Sequence, residues 1–213
     1  MNRRHLAAAA TLVAVAFPLA ACTGDRTVPG VASTPTSAGD SSSGASTLPH
    51  HGAPKVQDPL PGKVLEGNPC DSALTPTQVK EFIGDSDPAT RADDALGTAC
   101  RWRNAPGTGA AFTVGYETKN TEGLSLSYKT IKPTAARWEE PAPVQGYPAI
   151  AYVPDGITAA DKRLCSVVVG VSDQLSYSVT MTLGDAATAA HVDGCTAARD
   201  VADAVMTNVK ARA

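Results

Sequence analysis

Apolar and polar positions change period several times along this chain, and each change marks an element. In residues 175–183 every second position is apolar: Leu175, Tyr177, Val179, Met181 and Leu183. Phe112, Val114 and Tyr116 alternate in the same way. A period of two predicts strands with one buried and one polar face. Residues 164–171 are nearly continuous instead, with Val167, Val168, Val169 and Val171, as suits a central strand. Residues 149–153 form another strand bounded by prolines. Cys100-Arg101-Trp102 forms a short strand, joined to the segment at Phe112 by the Gly/Pro turn at 106–109.

Helical spacing takes over at two places. Ala198, Val201, Ala202, Val205 and Val209 make one apolar stripe in a terminal helix that starts near Cys195. Asp193 at its start and Lys210 and Arg212 at its end have the signs that suit the helix dipole. Upstream, Thr75-Pro76-Thr77-Gln78 reads as an N-cap, a proline at the first helical position and a capping box. Leu74 and Val79 supply the hydrophobic staple, Val79, Phe82 and Ile83 the buried stripe, and Gly84 the stop. Asn68-Pro69-Cys70 reads as a turn before it. Residues 123–128 fit either period; the polar lead-in of Thr121 and Glu122 and the stop at Pro133 favour a helix. The expected fold is α+β, a mostly antiparallel sheet with an N-terminal and a C-terminal helix packed on it and one face covered by helix.

The N-terminal third follows neither period. Residues 6–21 are an Ala-rich apolar run of 16 behind Arg3 and Arg4, too short for a comfortable membrane span and suited to a signal peptide. It ends in Leu19-Ala20-Ala21-Cys22, which reads as a lipobox: small residues let a peptidase grip an extended backbone, and the cysteine sulfur takes the lipid anchor. Residues 1–21 are then a lipoprotein signal peptide and Cys22 the lipidated residue. Acyl chains such as palmitate would hold the protein on the extracytoplasmic face of the cell membrane, two or more being needed for stable anchoring. Arg3-Arg4 is also compatible with twin-arginine export, but His5 and Leu6 fit a plain basic leader better. Twenty of the 32 residues from 23 to 54 are Ser, Thr, Gly or Pro, too few apolar groups to offset ordering entropy. The segment 22–66 is therefore read as a disordered tether with a reach of about 35–40 Å, and residues 67–213 as one folded α+β domain. His50-His51 counts as polar filler of that tether rather than a metal site.

Charge and cysteines narrow the function classes. Losing the leader's two arginines takes the net charge from −3 to −5, which leaves no electrostatic footprint for nucleic acid or anionic headgroups. With Cys22 lipidated, Cys70, Cys100, Cys165 and Cys195 remain, an even number for an oxidising compartment. Three pairings exist. Two consecutive loops, Cys70–Cys100 and Cys165–Cys195, are the most economical, each worth roughly 3.5 kcal/mol in the chain-entropy model. No two of these cysteines are close enough for a zinc knuckle, and Asp85, Asp87, Asp93 and Asp94 lack EF-hand spacing. No metal and no cofactor is expected.

Catalytic constellations are missing as well. There is no G-x-S-x-G elbow, S-x-x-K pair or phosphate-binding Gly loop. His191 is the one histidine of residues 67–213, a weak candidate for a general base. Glu139 and Glu140 are adjacent and point to opposite faces if extended. Trp138, Tyr147 and Tyr152 cluster among prolines and are the candidate surface for a protein or glycan partner, with core packing as the competing reading.

Several short motifs recur in a recognisable order: Asn68-Pro69-Cys70-Asp71 ahead of the capped helix, Cys100-Arg101-Trp102, Val144-Gln145-Gly146-Tyr147-Pro148-Ala149, Cys165 opening a Val-rich strand, and Gly194-Cys195 opening the last helix. Over residues 68–210 this pattern resembles a family of small actinobacterial secreted lipoproteins known as a domain of unknown function (DUF 3558). The resemblance implies a cell-envelope lipoprotein with two disulfides and implies no activity. The expected function is therefore a lipid-anchored, non-enzymatic binding or interaction module. A carrier of an apolar ligand or lipid is the alternative, to be recognised by a cavity of several hundred Å³ between sheet and helices. A hydrolase with an unrecognised site ranks last.

Overall fold

The period-two segments pair with one another into a single seven-stranded sheet in the computed structural model, which describes residues 47–213. These fall within one compact unit, Ser43–Ala213. The predicted signal peptide, Cys22 and the predicted tether up to residue 46 lie outside the described residues. In chain order the elements are α1 (Pro69–Ser72), α2 (Pro76–Ile83), β1 (Thr90–Arg91), β2 (Thr98–Arg103), β3 (Ala111–Tyr116), α3 (Leu124–Thr130), β4 (Arg137–Glu139), β5 (Ala149–Val153), β6 (Leu164–Gly170), β7 (Ser176–Thr182), α4 (Asp185–Ala189) and α5 (Gly194–Lys210). The strand order is β1-β2-β3-β7-β6-β5-β4, and every neighbouring pair is antiparallel. The fold is thus α+β with an antiparallel sheet, as the pattern predicts.

Register follows from the alternation. Val167 faces Val179, which in turn faces Val114 on the other side, so three neighbouring strands present apolar residues to one face. Helix α5 lies on that face: Ala198, Val201, Ala202, Val205, Met206 and Val209 are fully buried, and the Tyr177 hydroxyl donates to the Ala202 carbonyl at 2.7 Å. A slip of one residue in β7 would turn this row toward the opposite face. Helix α2 sits beside α5 with its N-terminus closed by the predicted capping box, Thr75 Oγ1 accepting from the Gln78 amide while Gln78 Oε1 accepts from the Thr75 amide. Gly84 ends it at φ 74°, a backbone conformation that glycine adopts without strain.

Four expectations change. Asn68-Pro69-Cys70 is not a simple turn: Asn68 caps a short helix, α1, through the Cys70 amide. The short β1 and β4 and the five-residue α4 carry too few apolar positions to be seen in the pattern. Both faces of the sheet are covered, because α3 packs on the second face, where Leu124, Tyr128, Ile150, Val168 and Ala53 form a smaller core. Finally, residues 47–66 are not a free tether. Val64 and Leu65 are fully buried and Val56 nearly so. The amides of Val56 and Leu60 donate to Asp173 Oδ1 and the Val171 carbonyl. His50 docks on α3, its amide donating to Ser125 Oγ and its Nε2 lying 3.1 Å from Glu122. Four apolar residues placed at the right points, Val56, Leu60, Val64 and Leu65, suffice to dock this strap although they follow neither a strand nor a helix period.

The C-terminus closes the same seam. Arg212 donates to the carbonyls of Ser72 and Val64 and to the Tyr116 hydroxyl, joining strap, α1 and β3 to the end of α5. Leu65→Ala is expected to destabilise by about 2–5 kcal/mol, as for buried leucines. In an unpacked tether the same change stays within about 0.5 kcal/mol. Urea denaturation separates the two.

Candidate functional site

The four predicted cysteines form the two consecutive bonds, Cys70–Cys100 and Cys165–Cys195. The first ties α1 to β2. The second ties β6 to the first turn of α5, where Asp193 caps the helix through the Cys195 amide at 2.8 Å. Arg137 closes over this corner, its guanidinium 2.8 Å from Cys195 Sγ, 3.2 Å from Glu139 and 3.6 Å from Asp193. Both disulfides therefore fasten helices to strands. Cys22 lies outside the described residues.

The proposed aromatic surface does not come together. Trp138 and Tyr152 are cross-strand partners on the α3 face, Trp138 edge-on to Tyr128 at 5.1 Å and donating to Glu140. Tyr147 is buried in the core on the opposite, α5 face, with Lys210 over its ring at 6.0 Å. The reason is strand parity: Tyr152 falls in step with Ile150, whereas Tyr147 sits in the turn before Ala149, with Val144. Glu139 and Glu140 take separate cations, Arg137 and Lys132. His191 is exposed in the turn between α4 and α5. Among the described residues, no group of three or more His, Cys, Asp or Glu could hold a metal ion, and no helix is long and apolar enough to cross a membrane.

What the sequence pattern missed is a cleft. It opens between α2, α4, α5 and the end of β7, has a volume of about 310 Å³, and is walled by Phe82, Ile83, Met181, Leu183, Ala187 and Val192. Phe82 leans edge-on against Phe112, which stacks on Trp102, so the wall is backed by a rigid aromatic row. Gly184 sets the lip: a Cβ there would stand 3.1 Å from both Ala110 and Thr108, so a larger residue would require these neighbours to give way by a few tenths of an ångström. The Asp185 amide then donates to the Thr108 carbonyl, and Arg163 donates to the Leu183 carbonyl and pairs with Asp185. Helix α4 is held as a rim and buries none of its own residues. Val192, 39 % exposed, is the only large hydrophobic side chain left exposed among the described residues, and it stands on this cleft. Phe82 and Ile83 were legible as the stripe of α2. Their facing an opening was not, because α4 carries no apolar period.

On the other face one carboxyl is unusual. Glu117 is 6 % exposed, accepts from Ser176 Oγ at 2.5 Å, and has Ser178 and Asn120 as further donors. Burial raises its pKa above the ordinary 4.5, against the lowering effect of those hydrogen bonds. Asn120 in turn donates to the Gly123 carbonyl and to Ser176 Oγ, fixing the turn that leads into α3.

A sheet clamped to its helices by two disulfides, with a ligand-sized apolar cleft at one seam, defines a small disulfide-stapled α+β domain. The chain belongs to the family described as Protein of unknown function (DUF3558), which matches residues 18–208. No curated protein and no solved structure matches the chain.

Glu117 gives this architecture a pH signature. A carboxyl whose pKa is raised on folding binds more protons in the native state, so its contribution is fully present below the unfolded pKa and is lost as pH rises through the folded one. Glu117's own contribution to stability should therefore fall as pH rises from about 4.5. Glu117→Gln removes the titration. In chemical denaturation from pH 4 to 8 the variant should lack this fall and gain relative to the parent toward neutral pH.

Proposed function

We propose that this protein is a lipid-anchored binding module of the cell envelope, without catalytic activity, and that its ligand site is the cleft between α2, α4 and α5. The observation that carries the reading is the exposed Val192 on an apolar opening of about 310 Å³, in a domain that buries its other large hydrophobic side chains wholly or in part. Ligand pockets run from about 300 to 1,000 Å³ and are mostly apolar with a few polar groups. This cleft sits at the small end of that range. It favours a small apolar ligand over a broad partner surface, because Tyr147 lies on the opposite face from Trp138 and Tyr152 and all three are held by their neighbours. The carrier reading, in which the ligand is an apolar small molecule or a lipid, thereby gains on the partner-protein reading.

The anchor belongs to the same proposal. Leu19-Ala20-Ala21-Cys22 behind a basic leader supports lipidation of Cys22, and the family match takes in that stretch. It supports a secreted lipoprotein of the actinobacterial kind, held on the extracytoplasmic face by its acyl chains. Two disulfides agree with an oxidising compartment. Cys22→Ala should move the protein from the membrane to the soluble fraction and abolish incorporation of labelled palmitate.

The cleft is tested by filling it. Ala187 is partly buried against the core on the inner side of α4, so Ala187→Trp occupies the opening with little change to the sheet. The parent should bind a neutral apolar dye such as Nile red saturably, and Ala187→Trp should lose at least tenfold in affinity with an unchanged circular dichroism spectrum. Equal binding by both proteins would remove the cleft as the ligand site.

A further inference from the structure

We infer that the cleft takes an amphiphilic cation, an amine with an alkyl or aromatic body. This rests on the cleft being the ligand site and adds the chemical class of its occupant. The charged residues lining the cleft are Glu81 on α2 and Asp200 on α5, and no Lys, Arg or His joins them. Both carboxylates are exposed, and neither has an ion-pair partner among the described residues. The nearby cations are already engaged: Lys80 with Asp85 at 2.9 Å, and Arg163 with Asp185 and the Leu183 carbonyl.

An apolar floor under a mouth of one sign selects its ligand by both properties. The floor takes the body by removing apolar surface from water. Two unpaired carboxylates at the mouth favour a positive head and repel the carboxylate of a fatty acid or the phosphate of an acidic lipid. Size sets the rest. At roughly 30 Å³ per small group, about the share of a water molecule in the liquid, the cleft holds some ten groups. A helix, about 10 Å across, does not fit. The occupant is thus a compact molecule with one ammonium, its body against Phe82, Met181 and Val192 and its head between Glu81 and Asp200.

Three probes that differ only in their head groups test this: decylamine, decanol and decanoate. Each is titrated below its micelle concentration at pH 7 into the whole Cys22→Ala chain, free of acyl groups, with the amides of Ala110, Ala187 and Ala197 followed by NMR. Decylamine should bind saturably and at least tenfold more tightly than decanoate, with decanol between them and with perturbed resonances around the cleft. In the exposed-site variant Glu81→Gln/Asp200→Asn the amine should weaken three- to tenfold while decanol is unchanged, and added salt should mimic the substitution. Ala187→Trp should abolish binding of all three. Equal affinities for the three heads would overturn the cation while leaving the cleft as an apolar site. Failure of every probe to saturate, or shifts confined to other surfaces, would overturn the cleft itself. Saturation only by an apolar peptide flanked by lysines would overturn the small-molecule occupant.

Discussion

Helix α5 lies across the middle of the sheet on β6 and β7, and the contacts that close the domain at either end are made to it. Its stripe of Ala198, Val201, Ala202, Val205, Met206 and Val209 is buried without remainder against β6 and β7. Burying a valine-sized side chain contributes about 1.5–3 kcal/mol, so this face outweighs any single hydrogen bond or ion pair in the domain. The small residues matter as much as the large. Ala198 and Ala202 let the helix approach closely enough for the Tyr177 hydroxyl to reach a main-chain carbonyl of α5. That bond sets the helix's height along the sheet as well as its contact.

The remaining fastenings secure α5 at its two ends. At the N-terminus are the Cys165–Cys195 bond, the Asp193 cap and the Arg137 guanidinium. At the C-terminus, Arg212 satisfies the carbonyls of Ser72 and Val64, and Asn208 donates to the Ala73 carbonyl and to Gln78. The strap at 56–65 and helices α1 and α2 are thus organised around the end of α5 although they precede it by more than a hundred residues. Such closure costs loop entropy, and the Cys70–Cys100 bond, which holds α1 against β2, stands on the same segment.

Legibility in the sequence tracked the strength of the local period. Strands β3, β6 and β7, helix α5 and the capped α2 were all readable, because each repeats a burial rule over several residues or carries a cap. The ambiguous segment at Leu124 is the helix that its polar lead-in suggested. The strap was not readable, since Val56, Leu60, Val64 and Leu65 bury without any period, directly after a segment whose composition is that of a linker. The aromatic trio failed for a related reason. Nearness in sequence says nothing of face: Tyr147 keeps step with Ala149 and Ala151 on the α5 face, and Tyr152, an odd number of residues on, falls on the other. The cleft was invisible because an opening is a property of what α4 fails to cover.

Two departures from ordinary burial remain, and they do not weigh equally. Glu117 is a buried carboxyl, but Ser176, Ser178 and Asn120 surround it and lead directly into the turn before α3. It is satisfied, and holding that turn accounts for its place. Val192 and the apolar wall beneath it have no such compensation. Helix α4 could close the seam with one larger residue at Ala186 or Ala187, yet both positions are alanine and both line the opening. An apolar seam left open, with the one large hydrophobic side chain exposed among the described residues standing on it, is where function is to be sought.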